Sequence, residues 1–288
     1  KLTRKYYTED MPDGRVKHIV QNITDPDIVP YIPDGIGNST DRQRIPAVLI
    51  IPGGAFRRLV YNFEGEDVAK WLNSMGIAAF VLECRLPSDE HDNAEDVPLI
   101  DAMRAMRVIR GRAQEFGIDE AKIGVMGFSA GGFMAALLST AYESDVYADY
   151  KYKDEYDKLS ARPDFAVCSY PVISIDDCIE AGKRYMSEEQ VLERISDSKA
   201  KILHKYNPDK LVRPDMPPVF ICETDDDRTT LSENSVGFYM AARKAGVSAE
   251  LHIFRTGGHG YGCGDDFAQT GEWKVLFTKW IKSIGIIS

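Results

Sequence analysis

From residue 46 onward the chain alternates two kinds of hydrophobic segment. The first is a short unbroken apolar run, seen at 46–51 (PAVLII), 77–82 (IAAFVL), 165–170 (FAVCSY) and 218–222 (PVFIC), with a shorter one at 122–126 (KIGVM). Runs of this length without polar alternation predict strands buried on both faces of a sheet. The second is an amphipathic stretch with helical spacing. In 64–75 (EGEDVAKWLNSM), Val68, Trp71, Leu72 and Met75 fall on one face, and 96–116 carries Leu99, Met103, Met106, Val108 and Ile109. Further helices are predicted over 130–140, 232–245 and 272–283, and a further strand over 249–254. Strand and helix in alternation predict an α/β fold, a mostly parallel central sheet with helices on both faces, whose ligands bind at the carboxyl ends of the strands. The first 45 residues are polar and turn-rich, and 15–20 (RVKHIV) predicts a short antiparallel strand. Two segments interrupt the alternation. Residues 142–164 are polar and rich in Tyr and Asp. Residues 171–217 are helical in pattern with no buried strand, which predicts a small helical lid inserted into a single domain spanning 1–288.

Charge narrows the partners. The formal net charge is -10 at pH 7, a sign that repels phosphate backbones and anionic lipid heads, so neither nucleic acid nor a membrane is expected as a partner. No run approaches the roughly 20 apolar residues of a membrane helix. The chain starts at Lys1, so a soluble protein is expected, either periplasmic or secreted with its leader removed or else cytoplasmic. Cys84, Cys168, Cys178, Cys222 and Cys263 show no metal-ligand spacing and read as buried reduced thiols. No metal or cofactor is implied.

Three loops that follow predicted strands carry the candidate chemistry. Gly127-Phe128-Ser129-Ala130-Gly131 lies between a strand and a small-residue helix, the setting of a nucleophile elbow. There the turn is so tight that side chains two positions either side of the serine would clash, and the turn lifts Ser129 Oγ above the sheet. A serine hydroxyl needs a base. Of five histidines, His18 and His252 fall in strand patterns, His91 in a charged loop and His204 in the expected lid, whereas His259 sits in Gly257-Gly258-His259-Gly260 directly after the last strand. The base in turn needs a carboxylate, and three follow strand 218–222: Asp225, Asp226 and Asp227. Residue chemistry alone leaves these three open. Pro52-Gly53-Gly54-Ala55 follows the first core strand, and its Gly54 and Ala55 N–H groups, with that of Ala130, are the candidate oxyanion donors. Arg57 and Arg58 come next and read as solvated. The tyrosines at 142, 147, 150, 152 and 156 offer stacking surfaces for a sugar, or simply pack on the body.

The chain resembles the esterase/lipase-like α/β-hydrolases that include bacterial acetylxylan esterases and related carbohydrate esterases. The likeness extends from about residue 19 onward. It rests on PGGAFRRL (52–59), EGEDVAKWLNSMGIAAFVLECRLP (64–87), PLIDAMRAMRVIRGRAQEFGID (98–119), KIGVMGFSAGG (122–132), LSARPDFAVCSYPV (159–172) and ENSVGFYMAARKAGVSAELHIFRTGGHGYG (233–262). The resemblance implies the α/β-hydrolase fold and a serine esterase acting on small, chiefly acetyl, esters of xylan-derived or similar carbohydrates. Its small-molecule or oligosaccharide substrate would be cleaved by a triad of Ser129, His259 and an acid. Aligned on Glu233-Asn234-Ser235, the family's Asp-Asp pair selects Asp226 as that acid. The chain departs from the family in two places. Thr229-Thr230 stand where the family has Val-Pro, and Ala55 stands where it has the third oxyanion-loop glycine. Rival readings are a feruloyl esterase or a small peptidase of the same fold, and a hydrolase fold kept only for binding.

Overall fold

The computed structural model describes residues 2–35, 44–89, 91–148, 150–184, 186–195, 198–264 and 269–288. The polar first segment forms strands β1 (Lys5–Asp10), β2 (Val16–Gln21) and β3 (Asp27–Tyr31). The first core strand β4 (Ile45–Ile51) follows, then the short β5 (Leu59–Val60), a π-helical turn (Asn62–Glu66), helix α1 (Asp67–Ser74) and strand β6 (Ala78–Glu83). Next come α2 (Val97–Gly111), α3 (Ala113–Phe116), β7 (Ile118–Phe128) and α4 (Ala130–Ala141). Strand β8 (Ala166–Ser169) precedes three helices, α5 (Ile175–Lys183), α6 (Glu188–Ile195) and α7 (Ser198–Lys205). The chain closes with β9 (Val219–Thr224), α8 (Ser232–Lys244), β10 (Ala249–Phe254) and α9 (Glu272–Ser283).

Among the described residues the central sheet has seven strands in the order β10-β9-β8-β7-β4-β6-β3, and every pair is parallel except β3 with β6. A separate antiparallel sheet joins β1, β2 and β5. All six residues of β6, and six of the seven in β4, are buried, because helices cover both faces. Alternate residues feed two cores. Leu49 and Ile51 face Leu99, Met106 and Leu137 on one side. Val48 and Ile50 face Val68, Leu72 and Phe277 on the other. The helices α5–α7 occupy the segment expected to form a lid, and Val191, Ile202 and Leu203 are buried in the same cluster as α4.

The second core ends in an aromatic cluster. Phe277 is fully buried and lies edge-on to Trp71 at 5.4 Å and to Phe220 at 6.1 Å. Trp280 stands 6.1 Å away and Trp273 6.2 Å away. Truncating a ring so enclosed removes its transfer energy and leaves a cavity, so Phe277→Ala should cost about 3–5 kcal/mol, measured by urea denaturation. A loss below about 1 kcal/mol would show that α9 does not depend on this packing.

Sequence expectations and structure part in a few places. The helix expected over 96–116 is two helices interrupted at Arg112, and the second ends at Gly117 with φ 68. Gly111, at the interruption, packs against the Tyr156 ring, which leaves no room for a side chain there. β7 begins earlier than 122, because Ile118 already pairs with Ile45 across a register shift in β4. Cys84, Cys168, Cys222 and Cys263 are buried, and the side chain of Cys178 lies outside the described residues. Among the described residues no helix is long and apolar enough to cross a membrane.

Candidate active site

The nucleophile elbow is built by crowding. A Cβ on Gly127 would lie 1.9 Å from the Gly131 carbonyl oxygen, and one on Gly131 would lie 1.9 Å from that of Ile51. Only glycine fits either side of the turn. Between them Ser129 adopts φ 54 and ψ -118, a conformation that costs a non-glycine residue of order 1–3 kcal/mol and persists where surrounding structure enforces it. The turn ends β7 at Phe128 and starts α4 at Ala130, so the helix N-terminus and its partial positive charge lie beside the serine.

His259 meets Ser129 from the loop after β10. Its Nε2 is 2.9 Å from Ser129 Oγ and its Nδ1 is 2.6 Å from Asp227 Oδ2. Gly258 and Gly260, on either side, have φ 63 and 77, which lets the loop turn twice around the imidazole. The carbonyl of Gly258 accepts from Thr224 Oγ1 at 2.8 Å, fixing the loop to the end of β9.

The acid drawn from the resemblance, Asp226, is corrected by this geometry. Its carboxylate is exposed and accepts from the N–H groups of Gly257 (2.9 Å) and Gly258 (2.8 Å). It braces the histidine loop from outside. Asp227 turns inward, with no exposed side-chain surface. Its Oδ1 accepts from the N–H groups of Thr229 (2.6 Å) and Thr230 (2.9 Å), and Thr230 Oγ1 donates to Oδ2 at 2.9 Å. A proline at 230, as in the family pattern, would have no N–H to give. The departure at Thr229-Thr230 thus lies where Asp227 finds its donors. Burial pushes the Asp227 carboxyl up, but the hydrogen bond and charge of His259 and the two threonine N–H groups outweigh it, so this carboxyl sits below the ordinary range. Asp225 is exposed, and its N–H closes the end of β9 on the Phe254 carbonyl at 2.7 Å.

The loop after β4 lies against Ser129. A Cβ on Gly53 would stand 2.9 Å from Ser129 Cβ. Gly54 has φ 138, and Ala55 holds φ 57 despite its Cβ. Among the described residues, the N–H groups of Gly54, Ala55 and Ala130 have no protein acceptor. Arg58 pairs with Glu9 and lines a narrow apolar crevice beside this loop, with Phe56, Leu86, Ala130 and Met134.

Two buried glutamates that sequence reasoning missed flank the site. Glu64 accepts from the Gly53 N–H. Glu223, fully buried at the end of β9, accepts from the Thr224 N–H at 2.9 Å and from Ser235 Oγ at 3.3 Å. Burial, then the charge of Asp227, push the Glu223 carboxyl well above its ordinary value. A group whose folded pKa is raised contributes stability that is complete below its unfolded pKa, near 4.5, and is lost as pH rises toward the folded value. Glu223→Gln is neutral at every pH. Its melting temperature relative to the native chain should therefore climb as pH rises above about 4.5. A difference that stays flat with pH would mean that Glu223 carries no raised pKa.

The other singled-out residues lie apart from this chemistry. His252 pairs with Glu250 at 2.8 Å on β10, and His91 Nε2 is 2.9 Å from the Ile23 carbonyl. His18 lies on β2 and His204 on α7. Of the tyrosines, Tyr142 donates to Asp215 at 2.8 Å, Tyr147 lies under the Arg107 guanidinium at 4.1 Å and stacks on Tyr150, and Tyr156 abuts Gly111. Tyr152 is exposed.

Residues 36–241 match the BD-FAE family. The chain belongs to this family. Its fold is the α/β-hydrolase fold. This BD-FAE chain is 31% identical over 240 residues to an acetylxylan esterase of Xylanibacter ruminicola, a match covering 83% of the chain and 45% of that protein. It is 29% identical over 269 residues to endo-1,4-beta-xylanase B of Butyrivibrio fibrisolvens, covering 91% and 40%. The chain thus spans less than half the length of these curated relatives. Among solved structures, the acetyl ester-xyloside bifunctional hydrolase of Caldicellulosiruptor lactoaceticus matches with a TM-score of 0.74 and 38% identity, covering 91% of this chain and 89% of that one. The carboxylesterase Cest-2923 of Lactobacillus plantarum shares the fold, with a TM-score of 0.72 at 20% identity over 100% of this chain and 99% of its own.

Proposed function

We propose that the protein is a serine carboxylic-ester hydrolase that removes small acyl groups, chiefly acetyl, from xylan-derived or similar carbohydrates. The hydrogen-bonded series Ser129–His259–Asp227 carries this reading. Ser129 Oγ attacks the ester carbonyl while His259 Nε2 takes its proton. Asp227 holds the ring by Nδ1 and stabilises the imidazolium. The tetrahedral oxyanion lies between the N–H groups of Ala130 and of the Gly54–Ala55 loop. His259 then protonates the departing sugar hydroxyl, and water attacks the acyl-enzyme by the same route.

The names of the relatives supply the substrate class. Glycoside cleavage is the weaker reading. It needs two carboxyl groups flanking the scissile bond in a cleft. Glu64, Glu223 and Asp227, three carboxyls around Ser129 and His259, are buried and hydrogen-bonded inward.

Acetate release from acetylated xylo-oligosaccharides, set beside ferulate release from feruloylated ones, tests the acyl preference. Faster acetate release is expected. Preferential ferulate release would keep the hydrolase and replace the acetyl group in this proposal. Turnover of neither, with p-nitrophenyl acetate also untouched, would leave a binding protein.

A further inference from the structure

Resting on the hydrolase reading, we propose that Glu64 is a positioning residue that locks the oxyanion loop to the loop carrying the base. Glu64 lies in the π-helical turn between β5 and α1. Its Oε2 accepts from the Gly53 N–H at 2.8 Å and its Oε1 accepts from the Tyr170 hydroxyl at 2.9 Å. The Tyr170 oxygen in turn accepts from the Gly262 N–H at 3.0 Å, and its ring packs edge-on against the His259 imidazole with centroids 5.0 Å apart. One connected path therefore runs from the loop bearing Gly54 and Ala55, through a carboxylate and a phenol, to the loop bearing His259.

Three further observations point the same way. The first is space. Gly53 is wedged between Ser129 and Glu64, since a Cβ there would stand 2.9 Å from Ser129 Cβ and 2.7 Å from Glu64 Oε2. Fixing the Gly53 N–H sets the direction of the two peptide groups that follow, and those carry the oxyanion donors. The second is strain. Among the described residues, six non-glycine residues have positive φ, and four of them are Ala55, Phe56, Ser129 and Tyr170. Strained backbone persists only where the surroundings over-determine it, and Glu64 holds both the loop of the first two and the side chain of the last. The third is cost. Glu64 is only 4% exposed. A buried carboxyl is an expensive way to fill space that an apolar side chain of similar volume would fill as well, so its place here needs a role beyond packing. Neither partner of Glu64 takes part in the chemistry directly. Its effect passes through the donors and the base that it positions.

The test uses p-nitrophenyl acetate with the native chain, Glu64→Gln, Tyr170→Phe and the double variant. Active sites are counted by end-point labelling with a fluorophosphonate, so that misfolded protein does not enter the rates. Glutamine keeps the volume but offers one acceptor where the site has two donors. Glu64→Gln should lower kcat per labelled site by on the order of 10- to 100-fold with KM within about twofold, the signature of lost transition-state donors rather than lost binding. Tyr170→Phe should also lower kcat. The double variant should be no slower than the slower single variant, because both remove one path. Native kcat per site in Glu64→Gln, even with a lowered melting temperature, would reduce Glu64 to a structural residue and overturn the proposal. Single effects that simply multiply in the double variant would overturn the path. If Glu64→Gln cannot be recovered folded, native kcat per site in Tyr170→Phe would overturn it alone. A native chain that turns over no ester would sink the hydrolase reading and this inference together, whereas a native-like Glu64→Gln sinks only the inference.

Discussion

Replacing Ser129 with alanine should lower ester turnover by at least about 10⁴-fold, with the fold intact. The expectation follows from how the site is divided. In the proposed reaction the serine supplies the attacking oxygen, and without it the base has no proton to take and no acyl-enzyme can form. What survives is whatever acceleration the oxyanion donors and substrate binding give to attack by water, a residue of about 10³–10⁴ over the uncatalysed rate in enzymes of this kind. The substitution itself is mild. Ser129 Oγ is bonded to His259, and alanine keeps the backbone N–H that meets the Ser169 carbonyl at 3.0 Å. Alanine also carries a Cβ and keeps the same backbone strain, so the melting temperature should stay within a few degrees of the native value. Turnover by Ser129→Ala within tenfold of the native rate would remove Ser129 from the chemistry and with it the proposed function.

The second large effect separates two adjacent aspartates. Asp227→Asn should lower kcat by on the order of 10⁴-fold, and Asp226→Asn by no more than about tenfold. An asparagine at 227 no longer offers a charged acceptor to His259 Nδ1. Its amide can present an N–H there instead, which forces the ring into the tautomer whose Nε2 carries the proton and cannot accept one from Ser129. At 226 the carboxylate serves two backbone N–H groups through one oxygen. The asparagine carbonyl can accept both, so the histidine loop keeps its brace. Stopped-time assays on the two single variants, with circular dichroism to confirm folding, decide the matter. Comparable losses at both positions, or a greater loss at 226, would return the acid's role to the residue that the family pattern selects.

Much of the fold was legible because burial on both faces leaves an unmistakable trace. β4, β6 and β9 are continuous apolar runs, and each lies within a residue or two of its expected bounds. The strands that escaped notice lack that trace. β1 reads KYYTED and is exposed along nearly its whole length. β3 reads DIVPY, carries a proline and forms the antiparallel edge of the sheet. Neither needs the apolar pattern that marks a central strand. In the site, the positions of Ser129 and His259 were legible because local glycines and a preceding strand mark such loops. The choice among Asp225, Asp226 and Asp227 was not, since neighbours in one turn differ only in which way the finished structure points them. Glu64 left no trace either. Within EGED it reads as the polar start of an amphipathic helix, and its burial arises only when the loops of Gly53 and Gly262 close over it.

The aromatic cluster around Phe277 has an optical consequence. Trp71, Trp273 and Trp280 are the only tryptophans in the chain, and all three lie at this one place, where α9 docks on the sheet and α1. Their emission is therefore a local signal. It reports whether the C-terminal helix is seated, on the sheet face opposite α4. A shift of that emission to longer wavelength during heating or urea titration marks the detachment of α9, and comparison with loss of ester turnover would time that detachment against the disassembly of the Ser129 loop. Coincident curves would describe one cooperative unit, and separated curves two.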